Sequence, residues 1–413
     1  NINAPTDAQV LDSREGLLAL SVGIQQLYST TGLRWIVETP AVTTREVGIT
    51  TTFQNMIELE DGGSDLPNFN SNVAGLWATM LRINGMCDNL VNSAEDVDLS
   101  TETRNSMIAF GKFFKALTIG ALAQNYEQVI TATSLNNDAR FVQRSAAYEE
   151  AITLLGEAAT AIGSGISDEF ESAVLKGAID LPNCIQAYAA RFNLFAGNYS
   201  AAITAAQAVD QSVLSLFNYD TQNANPIWGR VFLDAPNFKP RDRFGIPASL
   251  SLAENDGRRA FYLAPLDEDN QNGLPIEDLL GFFTSDTEPI PVYLPSEMTL
   301  IIAEAQARDG NIDAAIASIN IIRTKTDDPL NIIADVGEYT GGTMLDDVLA
   351  EIYVNRRAEL FLTGVSLEDS RRFARPEPSG ATMQYQEERN RNFYPYPERE
   401  RSNNPNTPTD PSK

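Results

Sequence analysis

Aromatic side chains with amides or arginines beside them are the residues of this sequence with the clearest potential for binding chemistry. The candidates that share this setting are Trp228, Trp35, Phe53, Asn55 and Tyr262. Flat aromatic rings stack on the apolar C–H faces of a sugar, while neighbouring polar groups bind its hydroxyls. Large aromatic side chains also pack inside proteins, so a structural role stays open for each of them. The pattern makes these residues candidates for a site that binds a saccharide without catalysis.

An acidic stretch supplies a second candidate site. Asp267, Asp269 and Gln271 carry side-chain oxygens at alternate positions, and Gly273 follows closely. Alternating oxygen ligands before a glycine are typical of a calcium loop. A calcium loop ends in glutamate, whereas Asp278 stands at that position here, and a solvated acidic turn is the simpler interpretation. We therefore predict no metal site and no cofactor, and regard these three residues as the candidates if calcium is bound.

The residue types that are missing exclude several kinds of catalysis. The sequence contains no histidine, which rules out Ser-His-Asp and Cys-His catalysis and histidine metal sites. It has no CxxC pair and no glycine-rich phosphate loop, and whether Cys87 and Cys184 form a disulfide stays open. We predict that the protein is not an enzyme. A glycoside hydrolase stays open as an alternative, because a pair of catalytic carboxylates cannot be recognised among 56 acidic residues.

The charge balance limits the possible partners. The net charge is −26, so the protein repels nucleic acid and anionic membrane surfaces, and we predict no nucleic-acid partner. A hydrophobic content of 43% is typical of soluble globular proteins. No segment is predicted to span a membrane.

The spacing of apolar residues predicts a mainly α-helical fold. Helices are expected at about 6–30, 71–94, 101–124, 145–162 and 345–363, where apolar residues recur with helical spacing. Gly364 is expected to cap the last of them in a left-handed conformation. The stretch 32–69 has no sustained period and is rich in Thr, Gly, Asn and Asp. We predict a long loop there, with at most one short strand or helix.

Two similar segments predict helical hairpins. Each has a helix, a Gly-Asn turn and a second helix that begins with Ala-Ala-Ile, and the turns are Gly197-Asn198 and Gly310-Asn311. Small alanines let two helices approach closely, which is typical of a tetratricopeptide-like hairpin. Since the two copies are far apart in the chain, long insertions must separate such units.

These elements predict a single domain over residues 1–413. A helical scaffold is expected at about 1–214 and 295–375, and an extended C-terminal tail at about 376–413. A loop-rich insertion with few short strands is expected at about 215–294, where many aromatic residues, prolines and glycines lie. Long loops on a helical scaffold commonly carry function, so the insertion is expected to bind the ligand.

The C-terminal block carries the most specific pattern. An Arg-Arg-x-Glu-Leu run is followed by Gly, Arg-Arg-Phe, an aromatic-Pro-x-Pro-x-x-Glu run and Asn-Pro. The residues that form it are Arg356, Arg357, Glu359, Leu360, Gly364, Arg371, Arg372, Pro395, Pro397, Glu400, Asn404 and Pro405. The arginines are expected to form ion pairs with nearby acids and hold the tail against the scaffold. In order and spacing this block resembles the C-terminal signature of the SusD/RagB family.

The resemblance implies a specific function. SusD-like proteins are surface lipoproteins of Bacteroidetes that capture nutrients, mostly glycans, for a TonB-dependent transporter. It implies that this chain binds an oligosaccharide or polysaccharide at the outer-membrane surface and passes it to a SusC-like transporter. It also implies a lipid anchor upstream of Asn1. A peptide-binding member of the same family and a helical-repeat scaffold for another protein stay open as alternatives.

Overall fold

The computed structural model describes residues 11–63, 66–134, 136–163, 165–233, 236–376 and 388–411. The mainly α-helical prediction is confirmed. The helices are α1 Arg14–Leu27, α2 Leu33–Thr43, α3 Gln54–Asp61, α4 Ser71–Asp96, α5 Thr101–Asn125, α6 Arg144–Ala161, α7 Asp168–Phe170, α8 Leu181–Ala196, α9 Tyr199–Gln207, α10 Trp228–Val231, α11 Gly257–Tyr262, α12 Pro295–Arg308, α13 Ile312–Arg323, α14 Leu345–Glu359, α15 Ser366–Arg372 and α16 Glu398–Asn403.

Local sequence explains where several helices begin. The side chains of Ser13, Asn70, Ser100 and Asp180 accept hydrogen bonds from backbone N–H groups in the first turns of α1, α4, α5 and α8. These N–H groups have no partner inside the helix, so a side-chain acceptor at the N-cap stabilises the helix start.

The two predicted helical hairpins are present. Helices α8 and α9 form one, and α12 and α13 form the other. Gly197 and Gly310 have φ angles of 84° and 82°, a left-handed conformation that glycine adopts without strain. Helix α9 packs against α12, so the two hairpins are neighbours although the insertion separates them in sequence. Helices α5 and α6 also pack together, as do α6 and α8, which extends the helical array.

Helix α5 lies at the centre of the fold. It is long and apolar enough to cross a membrane by length and composition, contrary to the sequence-based expectation. However, 83% of its most apolar window is buried inside the protein. Its Phe110, Phe113 and Phe114 pack edge-on or tilted against aromatic neighbours, so the apolar surface of α5 forms core.

The strands are short and pair two by two. They are β1 Val47–Ile49, β2 Gln128–Ile130, β3 Phe141–Gln143, β4 Leu216–Phe217, β5 Phe238–Pro240, β6 Leu263–Asp269, β7 Pro275–Leu279 and β8 Ile290–Pro291. Antiparallel pairs form between β1 and β5, β2 and β3, β4 and β8, and β6 and β7. Since β1 precedes α3 and β5 lies in the insertion, the first pair joins the insertion to the N-terminal region. Buried residues of the insertion, such as Phe238 and Phe283, belong to the main hydrophobic core.

The prediction of a long loop at 32–69 is wrong. Helix α2 continues α1 through a π-helical turn at Tyr28–Gly32, and β1 and α3 follow. The sequence of α2 contains Pro40 and several β-branched residues, which lower helix propensity. Burial overrides this preference, because Ile36, Val37, Ala41 and Val42 all lie in the core.

Three of the four C-terminal arginines form the predicted ion pairs, whereas Arg357 donates hydrogen bonds to the backbone carbonyls of Phe244 and Thr44. Arg356 donates two hydrogen bonds to Asp369, at 2.8 and 3.0 Å. Arg371 donates to Glu368 at 2.6 Å, and Arg372 donates to Asp369 at 2.9 Å. The Arg356–Asp369 pair joins α14 to α15, whereas the other two pairs lie within α15.

Two other expectations for this region need correction. Helix α14 ends at Glu359, so Gly364 is left-handed with φ 84° but does not cap that helix. The tail is not extended throughout, because α16 is helical and Tyr394 and Tyr396 are buried. Residues 377–387 and 412–413 of the predicted tail lie outside the described residues.

Both cysteines are free and buried. Burial raises the pKa of the Cys184 thiol to about 12, and it raises the pKa of the Cys87 thiol as well. A neutral buried thiol is a poor nucleophile, so neither cysteine is a candidate for chemistry.

Candidate ligand-binding surface

Trp35 lies on α2 and is half-buried against α4. A Cβ atom at Gly75 would stand 2.6 Å from Cε2 of the Trp35 ring, so only glycine lets the indole approach α4 this closely. The guanidinium of Arg34 lies over the Trp35 ring at 4.1 Å from its centroid. This cation–π contact adds a basic group to the aromatic one.

Glu38, one turn along α2, links this part of the helix to the insertion. Its side chain is fully buried. It accepts hydrogen bonds from Arg230 Nε at 2.5 Å, from Arg230 Nη2 at 3.3 Å and from Asn72 Nδ2 at 2.7 Å. A buried carboxylate is stable only when it is paired and hydrogen-bonded, so these contacts hold α2, α4 and α10 together. We call Glu38, Asn72 and Arg230 the Glu38 network.

Asn55 extends the network to α3. Its amide donates to Asn72 Oδ1 at 2.5 Å. Phe53 precedes α3 and its side chain is 50% exposed. The backbone N–H of Phe53 donates to the Thr51 hydroxyl at 3.3 Å, which fixes the turn before the helix. Phe53 therefore presents an aromatic ring to solvent next to an amide.

Trp228 begins α10, two residues before Arg230. The side chain of Asn225 accepts hydrogen bonds from the backbone N–H groups of Ile227 and Trp228, at 3.0 and 3.1 Å. Trp228 is half-buried. The Glu38 network thus joins the helices that carry or adjoin Trp35, Phe53, Asn55 and Trp228. These four residues come from segments that are far apart in sequence.

Tyr262 does not belong to this surface, and its prediction as a ligand contact is wrong. Its side chain is 0% exposed. The ring packs edge-on against aromatic neighbours, which are Phe244, Phe261, Phe282 and Phe361. Arg258, which suggested a polar setting, is itself buried and paired with Asp256 and Glu359.

The acidic stretch forms a hairpin between β6 and β7. Asp267, Asp269 and Gln271 are exposed, and Asp278 forms an ion pair of 2.8 Å with Lys239. Among the described residues, no group of three or more His, Cys, Asp or Glu side chains is arranged to hold a metal ion. Calcium binding at Asp267, Asp269 and Gln271 stays a prediction.

Sequence reasoning missed Arg34, Glu38, Asn72 and Arg230 as members of the site. Burial lowers the pKa of Arg34, Glu38 raises it and Arg230 lowers it again, so the three charges are close together. Arg34 and Glu38 are four residues apart, a spacing that brings side chains together on a helix. This helical spacing of Arg34 and Glu38 carried no weight in the sequence analysis, because residues 32–69 were predicted to form a loop.

Comparison with known proteins agrees with this architecture. Residues 283–411 match the model of the SusD family. The SusD/RagB resemblance is confirmed. No curated protein matches the chain. A SusD superfamily protein from Bacteroides thetaiotaomicron is 17% identical with a TM-score of 0.72, covering 96% of this chain and 99% of that one.

Two further solved structures are similar to this chain. NanU of B. fragilis is 14% identical with a TM-score of 0.70, and the match covers 99% of each chain. A putative sugar binding protein from Bacteroides vulgatus is 15% identical with a TM-score of 0.70, covering 96% of this chain and 98% of that one. At such identities the likeness establishes the fold, while the ligand must be argued from the residues of this chain.

The surface around the Glu38 network is suited to binding. It offers aromatic rings, an amide and arginine donors on a rigid base of helices. These groups bind hydroxyl-rich ligands through stacking and hydrogen bonds.

Proposed function

We propose that this protein captures an oligosaccharide or polysaccharide on the surface formed by Trp35, Phe53, Asn55 and Trp228. The observation that carries the proposal is that the Glu38 network, extended by Asn55, joins α2, α3 and α10, the three helices that carry or adjoin these side chains. Aromatic side chains near amides and arginines provide both stacking surfaces and hydrogen bonds for sugars. Two solved relatives, described as a SusD-like carbohydrate binding protein and a putative sugar binding protein, support this class of ligand.

Binding without catalysis is part of the proposal. The chain lacks histidine, and the exposed groups of the surface are aromatic, amide and basic. Glu38, the carboxylate at the centre of the network, is buried and already accepts hydrogen bonds from Arg230 and Asn72. It is therefore poorly placed to act as a general acid or base.

Delivery to a transporter is the second part of the proposal. The SusD-like fold supports a role at the outer surface of the outer membrane, held by an N-terminal lipid anchor and coupled to a SusC-like TonB-dependent transporter. Cells of the producing bacterium that lack this protein should then import the bound glycan more slowly. Unchanged import would argue against the delivery role and leave the binding role standing.

The binding role is tested by affinity electrophoresis of the purified protein in gels that contain single neutral or acidic polysaccharides, followed by calorimetry. The Trp228→Ala and Phe53→Ala variants should each weaken binding about tenfold, because each removes a stacking surface worth about 1–2 kcal/mol. Ile321→Ala is the control, since Ile321 is 61% exposed and lies on α13, which carries none of the proposed binding residues.

The same experiment separates the alternatives. Retardation by no glycan, together with binding to a mixture of peptides, would move the assignment to the peptide-binding branch. Release of reducing sugar from a bound glycan would establish a hydrolase. Binding that neither Trp228→Ala nor Phe53→Ala weakens would place the site elsewhere on the molecule.

A further inference from the structure

An open groove runs between α4 and α16, next to the surface described above. Its volume is about 670 Å³, and its lining includes Phe69, Ala74, Gly75, Ala78, Arg399 and Glu400. Phe69 is 64% exposed, the most exposed aromatic residue among the large hydrophobic side chains that reach the surface in the described part of the chain. The small side chains of α4 leave room beside this ring. We call this feature the α4 groove.

The α4 groove meets the candidate ligand-binding surface at Gly75. This glycine lines the groove and also contacts the Trp35 ring, where an added Cβ atom would stand 2.6 Å from Cε2. A chain of sugar residues bound at Trp35 can therefore continue into the groove toward Phe69. Gly75 is the residue that the two features share, and Phe69 and Trp77 are the aromatic residues that line the groove itself.

Arg34, at the Trp35 end, has unused hydrogen-bonding capacity. Its nearest carboxylate oxygen is Glu38 Oε2 at 3.8 Å, too long for a hydrogen bond. The Arg34 Nε atom is buried and has no hydrogen-bond partner in the described part of the chain. Glu38 already accepts hydrogen bonds from Arg230 and Asn72. The side chain of Arg34 is 30% exposed although its Nε is buried, so the remainder of the side chain reaches the surface.

Arg399 provides a second basic group in the α4 groove. It is exposed, and no ion pair to its side chain is formed by the residues that the structure describes. Its neighbour Glu400 accepts hydrogen bonds from Trp77 Nε1 at 3.1 Å and from Asn404 Nδ2 at 2.8 Å. Arg399 is therefore an exposed cation without an ion pair in the described part of a chain that has 56 acidic and 30 basic residues.

We propose that the glycan of the proposed function is acidic and that it carries carboxylate groups on its sugar rings. Arg34 binds a carboxylate of the sugar residue beside Trp35, and Arg399 binds a carboxylate further along the α4 groove. Arginine binds carboxylates through two parallel hydrogen bonds, while the aromatic rings contact the sugar faces. This inference rests on the proposed glycan-binding function and adds the chemical class of the ligand.

The net charge of −26 opposes the binding of an acidic glycan. The overall field of the protein repels polyanions, so nonspecific attraction cannot imitate a specific acidic-glycan site. Binding must come from locally placed arginines, and it should weaken as salt is added.

The test compares carboxylated glycans with the same glycans after reduction of the carboxyl group. Polygalacturonate, alginate and hyaluronan are used with their carboxyl-reduced forms in affinity gels, and dextran sulfate serves as a generic polyanion. At least one carboxylated glycan should bind roughly tenfold more tightly than its reduced form, since hydrogen bonds to charged groups contribute this much. Arg34→Gln and Arg399→Gln should each remove most of that difference.

Lys176→Gln is the matched control, because Lys176 is an exposed cation far from α4 in the chain and outside the α4 groove. It should leave binding unchanged. Thermal unfolding of each variant confirms that the fold is intact, and loss of Arg34 is expected to be tolerated because its Nε makes no hydrogen bond.

The possible outcomes test the acidic-ligand inference and the proposed function separately. Tight binding of a neutral glycan without any gain from carboxylates overturns the acidic-ligand inference and leaves the proposed function intact. Equal binding of dextran sulfate and polyuronates, or binding that survives both arginine substitutions, also overturns it. Failure to bind any glycan, neutral or acidic, rejects the inference and the proposed function together.

Discussion

Arg191 on α8 and Glu297 on α12 form a bidentate ion pair, with Nε–Oε1 and Nη2–Oε2 distances of 2.7 and 2.6 Å. In sequence, α8 precedes the insertion and α12 follows it. Both side chains of the pair are buried. Arg191 also lies over the Tyr188 ring at 4.4 Å. The ion pair therefore joins the helical hairpin that precedes the insertion to the hairpin that follows it. This gives the insertion a rigid support.

Breaking this pair should be costly. Glu297→Gln or Arg191→Met leaves one buried charge without its partner, and we expect a loss of about 3–5 kcal/mol in the free energy of unfolding. Urea unfolding measures this loss. As a control, Lys112→Ala breaks the more exposed pair with Glu157 and should cost no more than about 1 kcal/mol. Equal effects of the buried and exposed substitutions would contradict the argument.

Acid should destabilise the protein through Glu368. Burial alone would raise the pKa of this carboxyl group, but Arg144 and Arg371 outweigh burial and hold the pKa at about 2. An unfolded glutamate has a pKa of about 4.3, so the unfolded state takes up protons first as the pH falls. The stabilisation by Glu368 is complete above that pH and is lost as the pH approaches about 2.

The measurement is urea unfolding as a function of pH. Wild-type protein should lose stability between about pH 5 and 2, and Glu368→Gln should show a flatter profile with a difference on the order of 3 kcal/mol. Glu338→Gln, at an exposed loop position, should keep the wild-type profile. A Glu368→Gln profile parallel to wild type would show that Glu368 does not carry this pH dependence.

Gly364 should not tolerate a side chain. It is left-handed with φ 84°, and a Cβ atom would stand 2.6 Å from Ile36 Cγ2 and 2.7 Å from the Ile36 carbonyl oxygen. Strain and overlap together predict a loss of roughly 2–4 kcal/mol for Gly364→Ala. Gly156→Ala is the matched control, because Gly156 lies within α6 with nothing within 4 Å of an added Cβ.

The two glycine substitutions should have opposite signs. Alanine has a higher helix propensity than glycine, so Gly156→Ala should stabilise the protein by about 0.5–1 kcal/mol. Thermal and urea unfolding report both changes. A neutral Gly364→Ala would mean that the segment after α14 can move away from α2.

Local patterns predicted the scaffold because they are repeated and encoded close together in sequence. The Gly-Asn turns and the alanines of α9 and α13 specify a hairpin without reference to the rest of the chain. The paired arginines of α14 and α15 were also predictable, since Arg371 and Glu368 lie three residues apart on one helix.

The candidate site was harder to predict because tertiary contacts decide it. Helix α2 contains β-branched residues and Pro40, and its burial cannot be read from propensity. Glu38 contacts Arg230 across 192 positions of the chain. No local pattern shows such a contact. Tyr262 misled for the same reason, because its arginine neighbour Arg258 is buried in an ion pair with Asp256.

Removal of the Tyr262 hydroxyl tests this correction. The oxygen is buried and has no hydrogen-bond partner in the described part of the chain. An unpaired buried polar group is unfavourable, so Tyr262→Phe should leave stability unchanged or raise it by about 1 kcal/mol. Since the ring is 0% exposed, glycan binding should also be unchanged.

Tyr188→Phe provides the matched comparison, because the Tyr188 hydroxyl donates a buried hydrogen bond of 3.0 Å to the Val292 carbonyl. Its removal leaves that carbonyl unpaired and should cost about 1–2 kcal/mol in urea unfolding. If Tyr262→Phe instead weakened glycan binding while Tyr188→Phe did not, Tyr262 would have to become accessible when ligand binds. Equal stability losses in the two variants would mean that the Tyr262 hydroxyl has a partner in solution. The sign of the stability change therefore decides whether this hydroxyl is paired, and the glycan-binding result decides whether Tyr262 contacts ligand.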